Sequence, residues 1–436
     1  MFASFANHRA ISDHVAKMTT NPCNWAGNYT YQASSIHSPQ TLEELCQIVR
    51  DSRKVRALGT RHSFNDIADC AENLISLEQF DRIIAIDRAQ QTVTIESGVK
   101  YGQLGEFLHQ EGFALHNLAS LPHISVAGAC ATATHGSGEN NGSLATAVVA
   151  MELITAHGEV LVVSRDRDEN FPGMVVALGG LGIVTKLTLE IQPTFAVRQD
   201  VYENLPLAQL EKNFDAIQAS GYSVSLFTDW QGDSINQLWL KRRTINQDAA
   251  APTFFGAALA PADRHPIAEI SAENCTPQMG IPGPWHQRLP HFRMNFTPSS
   301  GDELQSEYFV PRQHAIAALR AVAHLHEKIS PLLLISEIRT IAADDLWLSP
   351  CYQQACVAIH FTWKPDWPAV RELLPMIESQ LAPFDARPHW GKLFTMEAAR
   401  LRSLYKKLPD FQRLLRSYDP NGKFRNAFLD RYIFGV

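Results

Sequence analysis

Apolar and polar positions change their period several times along the chain, and each change marks an element. Residues 41–53, TLEELCQIVRDSR, carry Leu42, Leu45, Ile48 and Val49 at helical spacing, and Val55–Leu58 follows as a short strand. Arg82–Asp87 and Thr92–Ser97 flank the polar turn Arg88–Gln91 as a β-hairpin, with Tyr101–Gly112 as the next helix. A second hairpin pairs Ala147–Ala156 with Glu159–Ser164 across His157 and Gly158, ahead of a strand at Gly182–Ile191. Strands and helices are thus interleaved throughout this first part.

Past Phe195 the texture changes. Tyr222–Trp230 and Gln237–Lys241 read as strands, and Ala250–Pro290 as a Pro-rich, loop-like stretch. A helix over Arg312–Ile329, strands at Pro331–Ala342 and Cys356–Trp363, and a helix over Trp367–Leu381 come next. Asp419–Asn426 reads as a turn with a short extended end. The fold class is therefore α+β with two domains, the second an antiparallel sheet flanked by helices. Boundaries are expected at 20–192 and 193–410, with 411–436 returning to the first domain.

Composition narrows the classes. A chain of 436 residues, 45% hydrophobic and 19% charged, can bury two sizeable cores. Its net charge of −7 gives no field drawing it to phosphate backbones or anionic lipid, so neither nucleic acid nor a membrane surface is an expected partner. The longest apolar runs, Pro331–Ile335 and Gly179–Val184, fall far short of the roughly 20 residues that span a bilayer. Residues 1–20 lack the apolar stretch of a secretion signal. The seven cysteines are odd in number and mostly isolated, which disfavours a disulfide framework and fits a reducing cytoplasm. Cys351 and Cys356 form a C-x4-C with no second pair or clustered histidines, so no metal site is expected. No repeat suggests a solenoid. An oligomeric state is not fixed by the sequence, and a monomer is compatible with it.

Two loops in the first domain combine small residues with hydrogen-bonding side chains: Leu58-Gly59-Thr60-Arg61-His62-Ser63-Phe64-Asn65, and the run from Ser125 through Gly128, Thr132, Thr134, His135 and Gly136 to Gly138. Neither has the G-x-G-x-x-G or P-loop spacing. Each alone reads either as a cofactor cradle or as ordinary turn chemistry; together they favour a cofactor. In the second domain, alternation puts Glu337 and Arg339 on one strand face with Leu333, Ile335 and Ile341. That pair is either an internal ion pair or the wall of a wet cleft, since a lone buried charge costs several kcal/mol. His360 and Thr362 share a face with Ala358, opposite Val357, Ile359, Phe361 and Trp363.

These residues resemble a known family, the vanillyl-alcohol-oxidase type of FAD-linked oxidases, and within it the alditol (xylitol) oxidases and their aldonolactone-oxidase relatives. The resemblance runs from Asn24-Trp25-Ala26-Gly27-Asn28 through Arg61-His62-Ser63-Phe64, Leu118–Ser125, Thr134–Gly138, Ser223–Trp230, Pro282–Trp285, Glu337–Thr340 and His360–Trp363 to Arg387–Lys392. It implies a PCMH-type FAD-binding domain followed by a substrate (cap) domain. It also implies FAD joined covalently through His62 to the 8α-methyl of the ring, a link that raises the flavin potential and prevents loss of the cofactor. By the same carry-over the cofactor lies against Ala57, Leu58, Gly59, Thr60, Arg61, Ser63, Ser120, Ser125, Gly128, Thr132, Thr134, His135, Gly136 and Val184, and Ala119 sets oxygen access. The chain departs from relatives in having Thr60-Arg61 where some have Ser-Gly, and Ala133 where a Gly is common.

The resemblance further implies oxidation of the C1 primary hydroxyl of an acyclic polyol such as xylitol or sorbitol to the aldose, with hydride passing to flavin N5 and O2 reduced to H2O2. Lys392 and His360 are expected to accept or relay the hydroxyl proton, Arg339 and Lys392 to stabilise developing negative charge, and Ser120, Glu337, Arg339 and Thr362 to hold the polyol. The alternatives are a sugar-1,4-lactone oxidase or dehydrogenase of the same superfamily, which oxidises a ring carbon, and a colourless carbohydrate-binding protein. A metallohydrolase needs a cluster such as H-E-x-x-H, which the sequence lacks.

Overall fold

The computed structural model describes residues 22–244, 250–294 and 302–436. The stretch 1–20 read for a leader, and the start of the domain expected from residue 20, lie outside the described residues. The chain begins with β1 (Ser35–His37), α1 (Leu42–Asp51), β2 (Val55–Leu58), β3 (Asn73–Ser76), β4 (Ile83–Asp87), β5 (Thr92–Glu96) and α2 (Tyr101–Gln110). It continues with β6 (Phe113–Ala114), α3 (Val126–Ala131), β7 (Val148–Ile154), β8 (Val160–Ser164), α4 (Phe171–Val175), β9 (Ile183–Glu190) and β10 (Gln192–Pro193). The Thr41 hydroxyl caps α1 by accepting from the Glu44 N–H, acidic Glu43 and Glu44 sit in its first turn, and Leu45, Cys46 and Val49 face inward. Strands β1, β3 and β2 form a small parallel sheet, and β4-β5-β9-β7-β8 an antiparallel one. Both predicted hairpins form, each one or two residues shorter at its ends than the pattern suggested.

The second body starts at β11 (Ala196–Pro206) and runs through α5 (Leu207–Gln218), β12 (Ser223–Thr228), β13 (Ser234–Arg243), β14 (Thr253–Phe254), β15 (Ala257–Leu259) and β16 (Gly283–Pro284). It is completed by β17 (Leu304–Pro311), α6 (Ala315–Ala323), α7 (His326–Ile329), β18 (Leu333–Ile341), β19 (Cys356–Trp363), α8 (Trp367–Leu381) and β20 (Arg387–Pro388). Its strands pair antiparallel in one ten-stranded sheet, whose central order is β11-β13-β12-β18-β19-β17. One face is apolar: Leu226, Leu238, Ile338, Ile359, Phe361 and Trp363 pack against Ile217, Leu319, Val322, Leu373 and Ile377 of α5, α6 and α8. The other face looks toward the first body and carries the polar residues.

Two sequence expectations are corrected. The helix expected over Arg312–Ile329 is a 3-10 turn followed by α6 and α7, because the backbone leaves the helical region at Leu325 (φ −96°, ψ 8°), whose partly buried side chain packs against the core. Leu333 does not share the face of Glu337 and Arg339. A bulge between Leu333 and Ile335 shifts the register, so Leu333 joins the apolar core with Ile338. The tail agrees with the expectation over Asp419–Asn426, a turn that ends extended at Asn426 (φ −135°, ψ 179°), and goes on to an element not foreseen: the Asn426 side chain accepts from the Leu429 N–H and starts α11 (Ala427–Leu429), which continues as a π turn over Asp430–Phe434. The Asn cap was the missed signal.

Helices α9 (Ala398–Ser403), α10 (Leu408–Tyr418) and α11, with the π turn after it, lay Leu401, Phe411, Leu415, Phe428 and Ile433 into the core that holds Val126, Phe171 and Leu178. Phe424 is fully buried among Leu45, Val49, Val55, Ile75 and Phe80. The buried Arg56 guanidinium ties this segment down, donating to the carbonyls of Phe424 at 2.7 Å and of Ile67 and Leu178 at 2.6 Å. Phe424→Ala is expected to lower stability by about 3–5 kcal/mol, read as a shift of the urea midpoint, because the site has no slack to collapse into. A loss below about 1 kcal/mol would show that the carboxy-terminal segment is not part of this core.

Candidate active site

Between the two bodies lies a cavity of about 1100 Å³. Its first wall is the loop after β2. Gly59, Thr60, Arg61, His62 and Ser63 all line it, with Ala57 and Leu58 at the strand end. The backbone N–H groups of Thr60–Ser63 take no partner among the described residues. The Thr60 hydroxyl accepts from the Ser125 N–H at 3.2 Å, which joins this loop to the start of α3. Gly59 and Gly128 both close on Ser125: a Cβ on either would come within 2.9 Å of its hydroxyl oxygen. Ser125, Gly128, Thr132, Thr134, His135 and Val184 line the same wall, as do Ala119 and Ser120. Gly136 does not. It packs behind the wall against Asn117 and the Leu118 carbonyl, where a side chain has no room.

The loop is fixed from both ends of the chain. Asn24 Nδ2 donates to the Ser63 carbonyl at 2.9 Å, Asn28 Nδ2 to the Phe64 carbonyl at 2.8 Å, and the Trp25 N–H to the Arg61 carbonyl at 2.8 Å. From the other side, Asn65 Nδ2 donates to the carbonyls of Trp390 (2.8 Å) and Lys392 (2.9 Å), while the Phe64 N–H reaches the Gly391 carbonyl. His62 stacks on Trp25 with ring centroids 4.9 Å apart and lies 5.5 Å from His123. Burial, with His123 and Lys100 nearby, lowers its pKa to about 3, so the imidazole is neutral. Arg61 and Ala133 adopt positive φ of 63° and 54°, the left-handed region in which glycine is most at ease. Arg61 is exposed, at the rim of the cavity it lines.

The opposite wall is the polar face of the large sheet. Pairing sets Glu307, His360 and Glu337 side by side on β17, β19 and β18. Glu307, 1% exposed, is the hub and was not anticipated from the sequence. Its carboxylate accepts from Lys392 Nζ at 2.6 Å and Arg339 Nη2 at 2.7 Å, and His135 Nε2 lies 3.3 Å away. Burial by itself would raise this carboxyl, but Lys392, His135 and Arg339 outweigh it and hold the group ionised far below the usual range. Glu337 is likewise held down despite burial, by Arg339 and by His291, whose Nε2 stands 2.7 Å from Oε1. Arg339 Nη1 reaches the Ser120 hydroxyl at 3.4 Å.

Lys392 Nζ also donates to His360 Nδ1 at 2.8 Å, and His360 Nε2 faces the Thr362 hydroxyl at 3.1 Å. With Nδ1 accepting, the ring proton sits on Nε2 and donates to Thr362, leaving the threonine proton free to point elsewhere. Burial lowers the Lys392 pKa, with Glu307 opposing the shift. All six expected substrate-side residues, Ser120, Glu337, Arg339, His360, Thr362 and Lys392, line the one cavity. Glu307, His291 and His389 join them. The period-two pattern of Leu304–Pro311, which puts Glu307 on the face opposite Tyr308, was the available signal for Glu307. Among the described residues no group of three metal-ligating side chains occurs, and no helix is long and apolar enough to cross a membrane.

Comparison with known proteins is consistent with this geometry. Residues 33–164 match the family model described as FAD binding domain, and residues 300–432 the one described as D-arabinono-1,4-lactone oxidase. An alditol oxidase from Streptomyces sp. is 48% identical over 415 residues, 94% of this chain and 99% of that one. The chain belongs to the alditol oxidase family of FAD-linked oxidases. Beyond the alditol oxidases, it is 28% identical to an L-gulono-1,4-lactone dehydrogenase from Mycobacterium tuberculosis over 94% of this chain and 98% of that one. Among solved structures, cholesterol oxidase from B. sterolicum superposes with a TM-score of 0.75 at 16% identity, covering 95% of this chain and 96% of that one, a likeness of fold. The alditol oxidase family member described here is an FAD-dependent oxidoreductase. The free N–H groups of Thr60–Ser63, the glycines closed on Ser125 and the uncharged His62 ring suit a long cofactor with an anionic middle.

The buried histidines give the site a pH signature. Burial, then Lys392 for His360 and Lys241 for His291, lowers both from 6.5 to about 4. The unfolded chain takes up these protons near pH 6.5 and the folded chain only near pH 4, so the unfolded state binds more protons in between. Stability is therefore expected to fall as pH drops from about 6.5 to about 4, with loss of the ionised Glu307 and Glu337 adding to it below about pH 4.5. Thermal melts between pH 7 and pH 4.5 read the slope, which His360→Gln makes shallower. A flat profile in wild type would contradict the buried neutral rings.

Proposed function

We propose that the chain oxidises the C1 primary hydroxyl of an alditol, such as xylitol or sorbitol, to the aldose. The observation that carries this reading is the polar array of the cavity: Ser120, Glu337, Arg339, Thr362, His360 and Lys392 offer charged and neutral partners to one bound molecule. An acyclic polyol carries a hydroxyl on each carbon, and each one left unmatched on burial costs about 1–3 kcal/mol. A hydrocarbon substrate would make no use of this polar lining. The 48% identity to an alditol oxidase supports the same assignment.

FAD, held in this cavity, would supply the two-electron acceptor for the hydride of C1, with O2 as the final oxidant and H2O2 as its product. Ala57, Leu58, Gly59, Thr60, Arg61, Ser63, Ser120, Ser125, Gly128, Thr132, Thr134, His135 and Val184 would hold it, with His62 as the covalent attachment. A neutral imidazole with a free lone pair is the nucleophilic form, and burial keeps His62 in that form. Ala119, small and buried on the same wall, is the residue assigned to oxygen access.

On the substrate side, Lys392 and His360 accept or relay the hydroxyl proton across their 2.8 Å contact. Glu307 stabilises the positive charge this leaves on the pair. Arg339 and Lys392 offset negative charge that develops beside them, from positions fixed before substrate arrives. Glu337 and the Ser120 and Thr362 hydroxyls orient the polyol. The domain limits 20–192, 193–410 and 411–436, and a cytoplasmic location, belong to the same proposal.

The lactone reading stays in view because residues 300–432 match the D-arabinono-1,4-lactone oxidase model. Peroxide production under O2 from xylitol, sorbitol and gulonolactone separates the two: the proposal expects turnover of the open-chain polyols and little from the lactone. Acid precipitation is expected to leave the yellow colour in the wild-type pellet and none in the His62→Ala pellet. A white wild-type pellet under a yellow supernatant sinks the covalent link. Lys392→Met is expected to lower kcat/KM for the polyol by about 10²–10⁴, the usual range for loss of general-base help. Unimpaired turnover removes Lys392 from proton transfer.

A further inference from the structure

Behind the substrate wall sits a lysine amine with no carboxylate in direct contact among the described residues. Lys241, on β13, is fully buried. Its Nζ donates to the carbonyls of Leu289 at 2.5 Å and Pro290 at 3.2 Å and to His291 Nδ1 at 3.1 Å. Burial lowers its pKa to about 7, and the two carbonyls and one ring nitrogen it meets match the three donors of the protonated form, all converging on one three-residue stretch of a loop that has no regular structure of its own. The loop is thereby held at two carbonyls and one ring nitrogen, and the imidazole tautomer is decided. With Nδ1 accepting from Lys241, the His291 proton lies on Nε2 and points at Glu337 Oε1, 2.7 Å away. The ring is clamped edge-on by Phe227 and Trp239, with centroids 5.5 and 5.1 Å from its own.

The same residue also reaches the other body. The His291 N–H donates to the Ser120 carbonyl at 3.2 Å, and the Phe292 N–H to the same oxygen at 3.4 Å. One residue therefore touches Glu337 through its side chain and Ser120 through its backbone, two groups that line the same cavity from the two bodies. We propose that Lys241 and His291 are positioning residues of this oxidase: Lys241 locks the loop and the tautomer of His291, and His291 sets the distance and orientation between Glu337 and Ser120. This rests on the polyol reading of the site.

A histidine here is well suited to the task. It presents a donor to Glu337 and an acceptor to Lys241 from opposite edges of one rigid ring, which no aliphatic side chain does. Glutamine reproduces the donor toward Glu337; phenylalanine keeps the shape and removes both functions. In a purely structural role, Phe would serve as well as Gln, and either effect would be independent of Glu337.

The test is a double-mutant cycle on the FAD-loaded enzyme, with xylitol as the probe. His291→Phe is expected to lower kcat/KM about 10- to 100-fold, in line with losing a hydrogen bond to a buried charge, and to raise KM at least as much as it lowers kcat. His291→Gln is expected to recover all but about threefold of that. In a Glu337→Gln background, His291→Phe or Lys241→Met is expected to change kcat/KM by less than about threefold, because the group they orient is already gone. Multiplying losses in the double variant, or equal losses for Phe and Gln, overturn the proposal. If Lys241→Met does not fold, the two His291 variants carry the test. Failure of the wild-type chain to oxidise any polyol is a different outcome: it rejects the substrate reading, whereas the cycle is interpretable only once that reading holds.

Discussion

The constraint on which the site depends is the burial of two cations, Arg339 and Lys392, against one carboxylate, Glu307. Side chains of like charge brought into a dry cleft repel strongly, and each alone carries a desolvation penalty of several kcal/mol. Glu307 answers both with separate oxygens, at 2.7 and 2.6 Å. The sheet makes this possible. Glu307, His360 and Glu337 sit in register on three neighbouring strands, so acid, imidazole and acid form one row, with Arg339 and Lys392 reaching across it. Two carboxylates then balance two cations inside the cavity, and the imidazole between them stays neutral. The array is arranged before any substrate enters, which is the condition for electrostatic stabilisation without reorganisation.

A second constraint joins this row to the cofactor wall. The His62 loop has little regular structure, and its conformation is imposed by asparagines: Asn24 and Asn28 from the start of the described chain, and Asn65 reaching the carbonyls of Trp390 and Lys392. The Lys392 side chain points to Glu307 while its carbonyl anchors the loop that bears His62. The residue assigned to the proton and the residue assigned to the cofactor are thus tied through one short backbone segment. Segments remote in sequence must all be in place before either residue is positioned, so the site forms with the whole fold and not with one domain of it.

Much of this was legible in the sequence, and what was not has a physical reason. The face of β19 was read correctly because strict alternation holds over Cys356–Trp363, with Val357, Ile359, Phe361 and Trp363 inside the apolar core and His360 and Thr362 in the cavity. The neighbouring β18 was misphased at Leu333, since a bulge adds a residue that no periodicity announces. Glu307 escaped because a single acidic residue in a strand gives no sign of which cations will meet it; those partners come from β18 and from a loop 85 residues further along. His291 and Lys241 escaped for the same reason. Each lies in a segment whose local pattern is unremarkable, and their meaning arises only from convergence on Glu337 and Ser120.

The two departures from glycine, Arg61 and Ala133, show where the fold tolerates strain. Both adopt positive φ, a conformation costing a residue with a Cβ roughly 1 kcal/mol or more relative to glycine. Strain of this size persists only where the surroundings over-determine the backbone. At Arg61 they do: its carbonyl accepts from the Trp25 N–H, and the next residues are held through Ser63 and Phe64. At Ala133 the N–H donates to the Cys130 carbonyl, and the following Thr134 N–H to that of Ala129, so the chain turns out of α3 along a path already bonded on both sides. Both strained residues adjoin groups that line the cavity, His62 and Thr134, and in each case the hydrogen bonds that impose the strain also aim the neighbour. Glycine would relieve the backbone at these points without being required by it, which is why the substitution of bulk for flexibility leaves the cavity wall intact.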